Sequence, residues 1–163
     1  MAHKFKINKE SLKREYAVYV VIARSDSDIK LYVGKTGDNR EGCNPIISRC
    51  GNHFSYNDIH SQMKNKTENH ESWEYTFIFE HFGKYDKEKI KAGVSLINEM
   101  ERWLNVEIQE LIENNKNCEL KNIYRAAGYI SRKERERRES FRTPEHKRKI
   151  QSIVKAVKSE IGG

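Results

Sequence analysis

Residues 16–24, Tyr-Ala-Val-Tyr-Val-Val-Ile-Ala-Arg, form a β-rich apolar run, and Ser25-Asp26-Ser27-Asp28 then supplies turn chemistry before Ile29 to Val33 resumes it. Two such runs separated by so short a polar break predict an antiparallel hairpin with a slightly long loop, ended by Gly34. The hairpin puts Tyr19 and Tyr32 on neighbouring strands, so their hydroxyls can converge at one edge of a sheet. Whatever the chain folds into has to be built around this pair.

Further elements follow in an orderly way. Residues 8–14 read as a polar lead-in, and the segment from Thr36 to Cys43, with Gly37, Asp38, Asn39 and Gly42, as an exposed loop. Asn44-Pro45 is a helix-start signal, since Asn can cap exposed N–H groups and Pro is pre-set for the first turn. The helix would run from Ile46 to Asn52 and put Arg49 and His53 one turn apart on one face. A polar stretch at 64–71 reads as loop, and Trp73 to Phe82 as a half-buried third strand. Residues 86–114 carry Ile90, Val94, Ile97, Leu104, Ile108 and Leu111 near helical spacing, with Gly93 and Asn114-Asn115 placed to interrupt or end the helix. The expected class is α+β, a small three-stranded antiparallel sheet flanked by helices, with no internal repeats.

Composition narrows what such a domain does. At 36% hydrophobic and 34% charged, the 163 residues hold one modest core and no apolar run approaching the ~20 residues of a membrane span. The first nine residues lack a signal-peptide core. Cys43, Cys50 and Cys118 are an odd number without secretory context, which predicts reduced thiols in a cytoplasm. Residues 131–163 hold 11 Lys and Arg against five acidic residues, whereas the rest of the chain is close to neutral. A neutral body with a basic tail predicts a polyanionic partner, nucleic acid before membrane, because Arg132 to Arg138 contains no bulky apolar residue.

Tyr19, then Leu31-Tyr32-Val33-Gly34-Lys35, then Arg49-Cys50-Gly51-Asn52-His53 together resemble the signature of the GIY-YIG nuclease family: two tyrosine-bearing strands followed by a helix with R-x-x-x-H. The resemblance covers residues 15–125. It implies a nuclease domain over 1–130, a basic helical DNA-binding tail over 131–163, and hydrolysis of phosphodiesters in double-stranded DNA. It implies Tyr19 as general base and Tyr32 in a positioning or relay role. A free phenol, with a pKa near ~10, is a poor base at neutral pH, and Lys35 is placed to favour its phenolate. Arg49 is the expected clamp on phosphate oxygens, preferred over Arg40 because His53 and Phe54 continue the motif; residues 36–43 are then an insertion. His53 would relay a proton or bind phosphate.

The family also holds one divalent cation, Mg²⁺ or Mn²⁺, on a helical glutamate. Glu101 has Leu104 three positions on, as the family pattern asks, whereas Glu99 has Arg102, so Glu101 is the expected metal ligand. Asn122 matches an asparagine that closes the site. In the tail, Thr143-Pro144-Glu145-His146-Lys147-Arg148-Lys149-Ile150 resembles the short helical modules behind homing and phage GIY-YIG domains. Lys147, Arg148 and Lys149 would contact phosphates there, opposite an apolar stripe of Ile150, Ile153, Val154 and Val157.

Rival motifs are poorer. Gly34-Lys35-Thr36 looks like the end of a nucleotide-binding P-loop, but Ile29 stands where its first glycine belongs. Cys43, Cys50, His53 and His60 offer four zinc ligands without a standard finger spacing. The expectation is a homing- or phage-type nicking or cleaving enzyme in the cytoplasm of a bacterial or phage-infected cell, cutting both strands, where it does, as a homodimer on DNA or by sequential nicking. A type II restriction endonuclease on the same fold, a repair nuclease reading DNA shape, and a catalytically inactive DNA-binding module are the alternatives.

Overall fold

The computed structural model describes residues 1–37 and 42–163, so Arg40 and the middle of the expected 36–43 loop lie outside the described residues. The fold is α+β. Among the described residues its strands are β1 (Glu15–Arg24), β2 (Ile29–Lys35), β3 (Glu74–Lys84) and β4 (Cys118–Leu120), and its α-helices are α1 (Ile46–His53), α2 (Gln62–Lys66), α3 (Ile90–Ile112), α4 (Arg132–Ser140) and α5 (Pro144–Ile161). The hairpin forms as expected, Arg24 facing Ile29 across a turn closed by Ser25 N–H to Asp28 O at 2.9 Å.

The sheet order is β3-β1-β2-β4, with β1 antiparallel to both β2 and β3 and with β4 parallel to β2. The expected three-stranded antiparallel sheet is therefore a four-stranded mixed one. Three residues, Cys-Glu-Leu, are too few to display a strand period, and they pair only because α3 returns the chain to the open edge of β2. β2 also runs through Gly34 to Lys35 instead of ending at Gly34.

β1 is paired on both edges and covered on both faces, which is why Ala17 to Ala23 read as one continuous apolar run. On one face Val18, Val20 and Ile22 join Ile97, Met100, Trp103, Leu104 and Ile108 of α3 and Ile150, Ile153 and Val157 of α5. On the other, Ala17, Tyr19, Val21 and Ala23 pack with Ile46, Met63, Phe54, Phe77 and their neighbours under α1 and α2. The apolar stripe of the basic tail is thus a wall of the main core. Thr143 caps α5 as expected, its Oγ1 accepting from His146 N–H at 3.2 Å, with Pro144 in the first turn.

Several local expectations are corrected. Pro45, not Asn44, is the N-cap residue of α1, and no side chain caps that helix. Residues 8–14 contain a 3-10 turn over Lys9–Leu12, and the 64–71 stretch holds the end of α2 and the start of another 3-10 turn, His70–Ser72. Gly93 does not interrupt α3. The Tyr16 ring lies against it so closely that a Cβ there would sit 2.3 Å from a ring carbon, so Gly93 is where helix and sheet touch. No helix among the described residues is long and apolar enough to cross a membrane.

Because Ile153 lies in the shared core, Ile153→Ala should lower the unfolding free energy in urea by about 2–5 kcal/mol. A loss below about 1 kcal/mol would mean that α5 does not hold the sheet.

Candidate active site

Tyr19 pairs across the hairpin with Gly34. A Cβ at Gly34 would stand 2.4 Å from the Tyr19 Cζ and hydroxyl oxygen, so the ring crosses β2 at the one position without a side chain. This carries the phenol toward α1, whose last residue, His53, meets it: Tyr19 Oη and His53 Nε2 are 2.8 Å apart. Tyr32 stands edge-on to the same imidazole, ring centroids 5.1 Å apart. Arg49, one turn before His53, acts on the phenol both by charge and as a hydrogen-bond donor. The structure therefore brings Tyr19, Tyr32, Arg49 and His53 to one place.

The electrostatics keep both partners of that hydrogen bond neutral. Burial pushes the Tyr19 phenol well above its ordinary pKa, and Arg49 opposes this only in part while the charges of Tyr32 and Glu101 add to it. Burial, with the charges of Arg49 and Lys66, pushes His53 down to about 4, so its imidazole is neutral at physiological pH. A guanidinium only donates. The Tyr19 oxygen accepts from Arg49, and between Tyr19 Oη and His53 Nε2 the imidazole tautomer sets which atom donates. His53 Nδ1 is buried with no hydrogen-bond partner among the described residues, an unsatisfied polar atom whose burial costs about 1–3 kcal/mol. Tyr19 is 0% and His53 3% exposed.

Lys35 was expected to favour the phenolate. Its ammonium donates to Glu101 Oε2 at 2.5 Å, and Arg49 is the foremost cation acting on Tyr19. Alternation along β2 puts Lys35 on the α3 face of the sheet, opposite Tyr32. Glu101 also raises the Tyr19 pKa by its charge. It lines a cleft of about 390 Å³ with Lys35, Asn98, Asn105 and Asn122. A larger, mainly apolar groove of about 580 Å³, lined by Val106, Ile112, Leu120 and Ile123, holds none of these residues.

The two glutamates sit in different surroundings. Glu99 is 2% exposed and bound by Arg102 and by Arg142, whose Nη2 donates to Oε1 at 3.1 Å, with the Arg142 guanidinium 4.8 Å from the Trp103 ring. Glu99 ties the turn between α4 and α5 to α3. Glu101 faces the cleft, and a single carboxylate there suits a hydrated, hard cation that completes its shell with water and phosphate oxygens. Among the described residues no three His, Cys, Asp or Glu side chains converge, so Cys43, Cys50, His53 and His60 form no zinc cluster there.

Asn122 closes the β2 edge beyond β4, its side chain accepting from Val33 N–H at 3.0 Å and donating to Val33 O. Sequence reasoning missed Lys66, whose ammonium lies 5.0 Å from the centre of the Tyr32 ring; nothing in the polar stretch around it marks it out. In the tail, Lys147 and Arg148 are solvent-exposed, whereas Lys149 pairs with Glu145 at 3.0 Å and lies over Phe82. No protein-family model, curated protein or solved structure matches the chain.

A neutral buried His53 has a sign-definite effect on stability. The unfolded chain takes up the imidazole proton near pH 6.5 and the folded one only near 4, so stability is full above about 6.5 and falls as pH drops toward 4. Urea unfolding of the wild type should lose up to about 1.4 kcal/mol per pH unit more than His53→Asn across that window. Equal slopes would mean that His53 is protonated in the folded state.

Proposed function

We propose that this chain is a metal-dependent DNA endonuclease of the GIY-YIG type, hydrolysing phosphodiesters of double-stranded DNA by tyrosine-assisted attack of water. The observation that carries the reading is the Tyr19–His53 hydrogen bond beside Arg49, made by a ring that crosses β2 over Gly34. Residues distant in sequence, and expected in these roles from the order of their motifs alone, meet with a proton already shared between two of them.

The roles follow from the geometry. Arg49 prefers an anionic phosphate to a neutral phenol, so it leaves the Tyr19 oxygen when the phosphodiester binds and frees a lone pair for the attacking water. Tyr19 takes a proton from that water as it gives its own to His53 Nε2, so no free phenolate is needed at neutral pH. Tyr32, edge-on to the imidazole and beneath Lys66, keeps His53 oriented. Glu101 and cleft waters would hold Mg²⁺ or Mn²⁺, which when bound supplies Lewis-acid neutralisation of the charge building on the phosphoryl oxygens and the leaving 3′ oxygen. Lys35 would release Glu101 to the ion. The water oxygen joins phosphorus, the bond to the 3′ oxygen breaks, and that oxygen leaves with a proton from solvent.

The homing or phage-type reading rests on the tail. Lys147 and Arg148 project to solvent from a helix whose opposite face is locked into the core, a rigid mount for phosphate contacts. One observation favours an inactive DNA-binding module instead: Tyr19 is wholly sealed from solvent.

Supercoiled plasmid separates the two. The wild type should nick or linearise it with Mg²⁺ and not in EDTA, while Tyr19→Phe and Glu101→Ala should each lose at least about 100-fold in rate. Binding without cutting under any divalent ion would establish the module. For the tail, Lys147→Gln/Arg148→Gln should lower the slope of log affinity against log salt by about 2 without changing the melting temperature. An unchanged slope would remove α5 from the DNA interface.

A further inference from the structure

Between α1 and α2, residues 54–61 form a loop that the proposed chemistry does not use. Core residues anchor both sides of it: Phe54 meets the Tyr75 ring at 4.6 Å, and Met63, just inside α2, is fully buried. Hydrogen bonds within the loop and to α2 brace it. The buried Ser61 hydroxyl bonds the carbonyls of Ser55 and Asn57, the latter at 2.6 Å, Asn57 Oδ1 accepts from Ile59 N–H at 3.0 Å, and Asn65 Nδ2 donates to Asp58 O at 2.7 Å. Among the exposed Asn57, Asp58 and His60, the loop also turns two large apolar side chains outward: Tyr56 is 80% exposed and Ile59 77%. A braced loop cannot fold these side chains back onto the body, so it holds them in water at a standing cost.

Two further observations say what covers them. The loop leaves directly from the end of α1, one turn beyond Arg49 and immediately after His53, so it borders the site that would hold the phosphodiester. Cations flank it: Lys64 Nζ lies 4.1 Å from the Tyr56 ring centre, and Lys66, on the same short helix, lies over Tyr32. An apolar pair with ammonium groups beside it matches a base step with its phosphates better than it matches an apolar protein surface, which would leave the lysines desolvated.

We propose that Tyr56 and Ile59 are a wedge that enters the base stack of duplex DNA next to the bound phosphodiester, with Lys64 neutralising an adjacent phosphate. The proposal rests on the nuclease reading and extends it to target choice. A wedge costs least where the stack opens easily, at TA and CA/TG steps, so it selects sequence through deformability without touching base edges.

The test uses a duplex of about 30 alternating T and A base pairs, with 2-aminopurine replacing one adenine, in EDTA so that it is bound and not cut. Wild type should raise the emission at least about threefold as the base unstacks. Tyr56→Ala/Ile59→Ser should leave the emission flat and bind about 10- to 100-fold more weakly. Both positions are exposed, and an unchanged melting temperature of the double variant establishes that it folds. If wild type binds the duplex and cuts plasmid while the emission stays flat, or if the double variant keeps wild-type emission and affinity, the wedge is wrong and the nuclease reading survives. If wild type neither binds DNA nor cuts it, both fall together.

Discussion

β1 is enclosed on every side, with β2 and β3 on its edges, α3 and α5 on one face, α1 and α2 on the other. A strand so confined can admit a large polar side chain only where a neighbour makes room, and Gly34 is that room for Tyr19. The Tyr19 ring takes the space, its hydroxyl finds His53, and the position of α1 follows from that contact together with Ile46 beneath it. The candidate site is therefore a consequence of how the central strand is packed.

The two faces of the sheet then divide the chemistry. The α1 face supplies the tyrosines, Arg49 and His53, groups chemically able to hold anions and pass protons. The α3 face supplies Lys35 and Glu101, a cation–carboxylate pair open to a cleft. Beyond β4, the Asn122 side chain bonds the Val33 backbone on the β2 edge. The mount of α5 belongs to the same economy of space: Glu99 on α3 binds Arg142 before α5, while Glu101 two residues later faces the cleft. A single helix thus carries both the anchor of the basic tail and the site carboxylate.

Reading the chain alone recovered what is encoded locally. The hairpin follows from two β-rich runs and a four-residue polar turn, α1 from the Asn44-Pro45 start signal, α3 from a long apolar period, and the start of α5 from Thr143 and Pro144. These features depend on neighbours in sequence, so local propensity and capping determine them. Local signals failed where neighbours in space decide. β4 is too short to carry a period, and Asn44 offers a cap that α1 does not take.

What the sequence by itself determined is the set of parts: a tyrosine on each strand of a hairpin, an Arg–His pair one turn apart, two glutamates on a long helix, and a capped basic helix with an apolar stripe. Only the tertiary structure decided their use. Glu99 and Glu101 lie two residues apart, about 200° around a helix, so which of them is buried against Arg142 and which faces the cleft depends on how α3 lies on the sheet. Likewise, no pattern in the chain says that Lys35 meets Glu101 while Arg49 acts on Tyr19, or that Lys66 covers Tyr32, because each pairing joins elements whose separation is set by packing.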